Sequence, residues 1–143
     1  MSNAFKTVAL TGNWRDPKAG ESIAALTRHL LDRGCAVAVG GGYRGPELPA
    51  AARRPEDDAL TDGANVVIAV GGDGTMLYAA RIAVAADLPL LGINRGRLGF
   101  LADVSPADML AAIDQVLAGE HEREQRRLLH AEILSESGGA KGT

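Results

Sequence analysis

Val66-Val67-Ile68-Ala69-Val70-Gly71-Gly72-Asp73-Gly74-Thr75 is an apolar run that stops abruptly at glycines. Its apolar half is mostly β-branched and reads as a strand buried on both faces, the kind found inside a parallel sheet. Gly71, Gly72 and Gly74 lack a Cβ and are free to take positive φ, so a ligand can come close to the backbone there. Beyond Thr75, the apolar positions Met76, Leu77, Ala79, Ala80, Ile82, Ala83 and Val84 suit a helix. Strand, glycine turn and helix N-terminus in that order form an anion site, because unpaired N–H groups and the positive end of the helix dipole converge on one spot. Asp73 conflicts with that picture. A carboxylate repels phosphate unless it orients a hydroxyl, accepts a proton or acts through a metal, and this conflict points to catalysis. The plainer alternative, a tight turn with a solvated Asp, explains a carboxylate bracketed by glycines less well.

Working outward, the flanking segments supply the rest of an α/β pattern. Phe5–Leu10 reads as a strand ending at Thr11-Gly12-Asn13. Ala19–Arg33 carries Ile23, Ala24, Leu26, Leu30 and Leu31 at helical spacing, with Gly34 as the stop, and Cys35–Val39 reads as a second buried strand. Residues 40–55 read as a flexible connector in which Arg53 and Arg54 are solvated, and Pro55–Leu60 as a short capped helix. Glu56, Asp57 and Asp58 fit a helix start better than a metal site. Leu88–Ile93 is a fourth strand, running into a second glycine-punctuated turn, Asn94–Leu101. Ser105-Pro106 reads as an N-cap followed by Pro at the first helical position, opening a helix through Leu117 that Gly119 ends. The expectation is an open, mostly parallel sheet with flanking helices. Both turns lie at the carboxyl ends of their strands, where such sheets bind ligands.

Composition narrows the function classes. The 143 residues are 46% hydrophobic and 23% charged, with a net charge of −3, which argues against a general nucleic-acid binder. The single cysteine, Cys35, excludes an internal disulfide, and among apolar neighbours it reads as a buried small side chain. The three histidines, His29, His121 and His130, are scattered and make no metal site. No run reaches the roughly 18 apolar residues of a membrane span, and the N-terminus lacks signal-peptide features, so the expected location is cytoplasmic with no membrane partner. From Glu120 onward the chain changes character. Residues 1–120 read as one α/β nucleotide-binding domain, and residues 121–143 as the start of a truncated β-rich second domain. That second part opens with a strand over Leu128–Leu134 and ends in a small, polar, disordered tail.

Gly71-Gly72-Asp73-Gly74-Thr75 followed by Gly92-Ile93-Asn94-Arg95-Gly96-Arg97-Leu98-Gly99-Phe100-Leu101 resembles the NAD kinases over the whole N-terminal domain, reaching Arg126 and Leu128-Leu129. The first motif alone is shared with diacylglycerol and sphingosine kinases; the second singles out NAD kinase. The resemblance implies phosphoryl transfer from ATP or polyphosphate to the 2′-hydroxyl of the adenosine ribose of NAD, giving NADP. It also implies Mg²⁺ or another divalent cation with the donor, and a homo-oligomer (dimer or tetramer) at full length. Asp73 maps onto the family's general base. Asp73, Gly74 and Phe100 map onto NAD contacts, and Gly71, Gly72, Thr75 and Asn94 onto phosphate or nucleotide contacts. Bland alternatives are a core role for Phe100, a turn-holding role for Asn94 and exposure for Arg95 and Arg97.

Two departures stand out. Five positions past Asp73, where some relatives carry a basic or His side chain, there is Tyr78, with Arg81 nearby as a substitute. No Asn-Glu or Asn-Asp pair, which the family carries in its second domain, occurs in the chain. The expectation is therefore an incomplete piece of the enzyme, with apolar surface left exposed. Two alternatives stay open: a lipid kinase domain, against which the lack of a basic or amphipathic membrane face speaks, and a non-catalytic nucleotide-binding fragment.

Overall fold

The structure, a computed structural model, describes residues 5–94, 104–119, 133–134 and 140–141. Four strands, β1 (Thr7–Gly12), β2 (Ala36–Val39), β3 (Val66–Gly71) and β4 (Leu90–Asn94), form one parallel sheet in the order β2-β1-β3-β4. The register runs Val8↔Val37 and Val8↔Val66 on either side of β1, and Val70↔Ile93 across β3 and β4. Every residue of β3 is buried, as its unbroken apolar run requires.

Alternation along the strands assigns each face a different filling. Val8, Leu10, Val37, Val39, Val66, Ile68, Val70 and Ile93 point to one side. There they pack with Ile23, Leu26 and Leu30 of α1 (Pro17–Asp32) and Met109, Ile113 and Leu117 of α3 (Met109–Leu117). Ala9, Ala38, Val67 and Ala69 point to the other, against Met76, Ala79 and Ala83 of α2 (Asp73–Ala85) and Leu60. Small residues on that face and on the helix let α2 approach the sheet closely. Full burial of one of the large aliphatics contributes about 1.5–3 kcal/mol.

Element starts depart from the sequence reading in instructive ways. β1 begins at Thr7, with Phe5 buried ahead of it. The Oδ1 of Asn65 accepts from the backbone N–H groups of Lys6 and Thr7 at 3.1 and 2.9 Å, so the strand entrance is held from the side of β3. α1 begins at Pro17, with Asp16 as N-cap accepting from the Lys18 N–H at 3.0 Å. The short helix read over Pro55–Leu60 is a single 3₁₀ turn at Asp57–Ala59. Ser105 occupies the N-cap position of a 3₁₀ turn (Pro106–Asp108) ahead of α3, but its hydroxyl donates to Asp108 Oδ2 at 2.8 Å instead of capping backbone.

The connector at 40–55 is packed, not flexible. Leu48 and Ala52 rest on the core. Arg53 lies alongside β2 as a one-residue bridge: the Val39 N–H donates to its carbonyl at 2.8 Å and its own N–H donates to Val37 at 2.9 Å. That bridge covers the outer edge of the sheet. Val104 makes the matching bridge at the opposite edge, beside Ile93. A separate antiparallel pair joins β5 (Ile133–Leu134) to β6 (Ala140–Lys141), so extended backbone occurs at both the end of the expected strand and within the small polar tail.

Candidate active site

All four parallel strands end on one edge, and the order β2-β1-β3-β4 makes the gap between β1 and β3 the place where the chain's crossovers diverge. α1 leaves toward one face and α2 toward the other. Crevices of this kind are where open α/β sheets bind ligands. The carboxyl ends that meet there are Thr11-Gly12-Asn13 of β1 and Gly71-Gly72 of β3, tied by the Asn13 N–H donating to the Val70 carbonyl at 3.0 Å.

The helix after the glycine turn starts earlier than its apolar pattern indicates. Gly72 is the N-cap and Asp73 already lies in the first turn of α2. Gly and Asp are poor helix formers in the middle of a helix, but Asp is favoured in a first turn, where its charge meets the positive dipole end. Gly72 has no side chain to cap the first N–H groups, which leaves those donors for a ligand. Asp73 is half-buried beside them. A hydroxyl hydrogen-bonded to this carboxylate and a phosphate on the amides would sit next to each other.

The three glycines serve different ends, and none uses the positive φ that the sequence reading allowed. Among the described residues only Gly34, Gly63 and Gly119 are glycines with positive φ, while Gly72 sits at φ −96°. Gly71 is required by packing: a Cβ there would lie 2.5 Å from Thr75 Oγ1 and 2.7 Å from Thr75 Cβ. At Gly72 and Gly74 an added Cβ would meet nothing within 4 Å among the described residues. Their open faces are available for close approach from outside.

Asn94 ends β4 directly opposite Gly71 in the register. It is only 5% exposed, its N–H donates to the Val104 carbonyl at 2.7 Å, and its Oδ1 is buried without a hydrogen-bond partner among the described residues. An unpaired buried acceptor costs roughly 1–3 kcal/mol, and a ligand donor would remove that cost. Phe100, Arg95 and Arg97 lie outside the described residues. The structure therefore brings together Gly71, Gly72, Asp73, Gly74, Thr75 and Asn94. Tyr78 and Arg81 lie exposed further along α2.

The family described as "ATP-NAD kinase N-terminal domain" matches residues 8–121. This chain belongs to the NAD kinase family. Among curated relatives, an NAD kinase of Methylococcus capsulatus is 39% identical over 134 residues, covering 94% of this chain and 46% of its own length. One of Chromohalobacter salexigens is 42% identical over 139 residues, covering 91% and 44%. The chain thus spans less than half the length of these NAD kinases. Among solved structures, yeast NADH kinase complexed with NADH superposes with a TM-score of 0.62 at 18% identity, over 80% of this chain and 36% of that one, which supports the fold.

Residues that the motif reading passed over also reach this edge of the NAD kinase domain. Trp14 follows Asn13 at the end of β1, and Tyr43 stands edge-on to it, ring centroids 5.4 Å apart at 80°. Arg54, read as solvated, is exposed, yet its guanidinium lies 5.0 Å from the centre of the Tyr43 ring. Burial raises the Tyr43 phenol above its usual range, while Arg54 and Arg28 pull the other way. The only advance signal was position: Thr-Gly-Asn-Trp terminates a strand as Gly-Gly-Asp-Gly does.

For a divalent cation, no group of three His, Cys, Asp or Glu side chains stands ready among the described residues. One carboxylate, Asp73, suits an ion that arrives on donor phosphates and keeps most of its waters. No helix among the described residues is long and apolar enough to cross a membrane.

Proposed function

We propose that this chain is the nucleotide-binding part, residues 1–120, of an enzyme that phosphorylates the 2′-hydroxyl of the adenosine ribose of NAD, with residues 121–143 opening a β-rich second domain. The observation that carries this reading is the half-buried Asp73 carboxylate in the first turn of α2, between glycines whose faces are open. Asp73 accepts the proton of the sugar hydroxyl, the hydroxyl oxygen forms a bond to the terminal phosphorus of ATP or polyphosphate, and the bond from that phosphorus to its bridging oxygen breaks. ADP, or a polyphosphate one unit shorter, leaves. A positioned base of this kind contributes typically about 10²–10⁴ in rate. Backbone N–H groups at Gly72–Thr75 hold phosphate, and Asn94 Oδ1 takes a donor from the bound nucleotide. Mg²⁺ or a similar cation, held by donor phosphates and Asp73, would neutralise charge on the transferring group. Phe100 would lie against NAD, and the assembled enzyme would be a homo-oligomer acting in the cytoplasm.

The test is NADP formation from NAD, ATP and Mg²⁺ by this chain and by a version extended to the length of its relatives, each with Asp73→Asn. Turnover by the extended chain that falls at least about a hundredfold in Asp73→Asn supports the assignment. Absence of NADP from the extended chain overturns it. Turnover that survives Asp73→Asn removes Asp73 as base.

A further inference from the structure

A cavity-bearing feature sits one strand away from the glycine turn, under the segment that follows β2. That segment is clamped onto α1. The Tyr43 hydroxyl donates to the Pro46 carbonyl, and the backbone at Arg44 and Gly45 presses on Gly20 so closely that neither glycine has room for a Cβ. Trp14 is held in turn by glycine backbone. A Cβ added at Gly12, Gly40 or Gly42 would sit 3.5, 3.5 or 2.9 Å from the indole ring. What remains uncovered of the indole lines a cavity of about 350 Å³, together with Pro17, Glu21, Arg44, Gly45 and Pro46. A neighbouring cavity of about 460 Å³ shares Arg44, Gly45 and Pro46 and is lined by Tyr43, Glu47 and Arg54.

We propose that the Trp14–Arg44 cavity receives the purine base of the phosphoryl donor, so that the donor lies on the β1–β2 side of the crevice and the acceptor on the β4 side. The assignment rests on the phosphoryl-transfer reading given above. Its walls have the composition a planar heteroaromatic ring needs: an indole and two prolines for its faces, and a guanidinium and a carboxylate for its edge. Phosphate alone fits the Trp14–Arg44 lining less well than a base does, because Glu21 offsets the charge of Arg44 and the remaining walls are apolar or aromatic. An exocyclic amine donates to Glu21, which favours adenine over a purine with a 6-oxo group. The connection to the transferring group is short. Trp14 adjoins Asn13, whose N–H is bonded to the residue before Gly71, and adjacent strand ends are about 5 Å apart. A base stacked on Trp14 therefore lies beside the end of β1, the strand next to the one that runs into the open glycines.

Trp14 is the single tryptophan of the chain, so its fluorescence and its one indole N–H resonance report on this cavity alone. The 143-residue chain is titrated with adenosine, inosine, ATP and inorganic tripolyphosphate, following both signals. Saturable change with adenosine and ATP and none with tripolyphosphate is expected. Inosine should bind about tenfold more weakly than adenosine, a gap that Glu21→Gln narrows. Arg44→Ala should raise the half-saturating ATP concentration about tenfold. No saturable change in either signal with adenosine and ATP, or a response to tripolyphosphate as strong as to ATP, overturns the proposal. NADP formation is read separately. A silent Trp14 in an extended chain that makes NADP removes the base pocket and leaves the kinase reading. Adenosine binding at Trp14 without NADP formation does the reverse.

Discussion

Gly71 and Gly74 stand three positions apart in one motif, yet substitution by alanine should have opposite effects on stability. At Gly71 the new methyl collides with Thr75 Oγ1 and Cβ, and Thr75 is fixed in the first turn of α2. Overpacking of this kind costs about 1–3 kcal/mol. Because the Thr75 Cβ itself is in the way, Thr75→Ser should not rescue Gly71→Ala; urea unfolding of the single and double variants measures this. At Gly74 the methyl enters open space on a helical residue, and alanine is favoured there by up to about 1 kcal/mol. Gly74→Ala should raise Tm by a few degrees while weakening nucleotide binding, measured by calorimetry with and without ligand. A loss of stability at Gly74 would show that the glycine is structural. Asn94 raises the same question of fold against ligand, since its buried Oδ1 has no hydrogen-bond partner among the described residues.

At the scale of elements, α1 and α3 are joined by an ion cluster remote from the site. Asp114 of α3 accepts from His29 Nε2 at 2.7 Å and from Arg33 Nε and Nη2 at 3.1 and 3.3 Å, so Nε2 carries the imidazole proton. These partners, the Arg33 bond first and the His29 bond second, hold the Asp114 carboxyl below its ordinary value. A depressed carboxylate adds stability that is present above its unfolded pKa, near 4, and is lost as pH falls through its lower folded value. Asp114→Asn should therefore lower Tm near neutral pH, and the two proteins should converge as the pH drops below about 4, as Tm measured against pH would show. A constant gap between them at every pH would mean that the aspartate acts by packing alone. This cluster was not legible from sequence, since nothing local relates position 29 to position 114. The four parallel strands and the three helices α1, α2 and α3 were, because each buries an uninterrupted or periodic apolar set, and β3 was read to within one residue of its end at Gly71. The start of α2 was missed because Gly72-Asp73-Gly74 has loop composition and helical position. Residues 40–55 were misread because their glycines serve to admit Trp14 and Gly20, contacts that only the folded chain brings together.

For the whole molecule, the apolar surface divides unevenly. α2 turns Met76, Ala79 and Ala83 to the sheet but leaves Leu77, Tyr78 and Val84 on its outer side at 53%, 47% and 64% exposure. Leu77, Arg81 and Val84 follow helical spacing, so the stripe begins at Gly74 in the candidate site and runs along the helix. A stripe of this kind promotes association. Leu77→Lys with Val84→Glu should reduce self-association of the isolated chain in light scattering while leaving Tm nearly unchanged, because neither side chain is in the core. Unchanged scattering would place the sticky surface elsewhere. The strand order has a consequence for synthesis. β1 is an interior strand, but its second neighbour pairs through Val8 and Val66, 58 positions apart. At roughly 5–20 residues per second, the β1–α1–β2 unit emerges from the ribosome seconds before β3 can dock, with the inner margin of β1 unpaired in the meantime. The strand that carries Gly71 is thus the one that covers the open margin of β1, and a nascent chain arrested before it would be the form most in need of a chaperone.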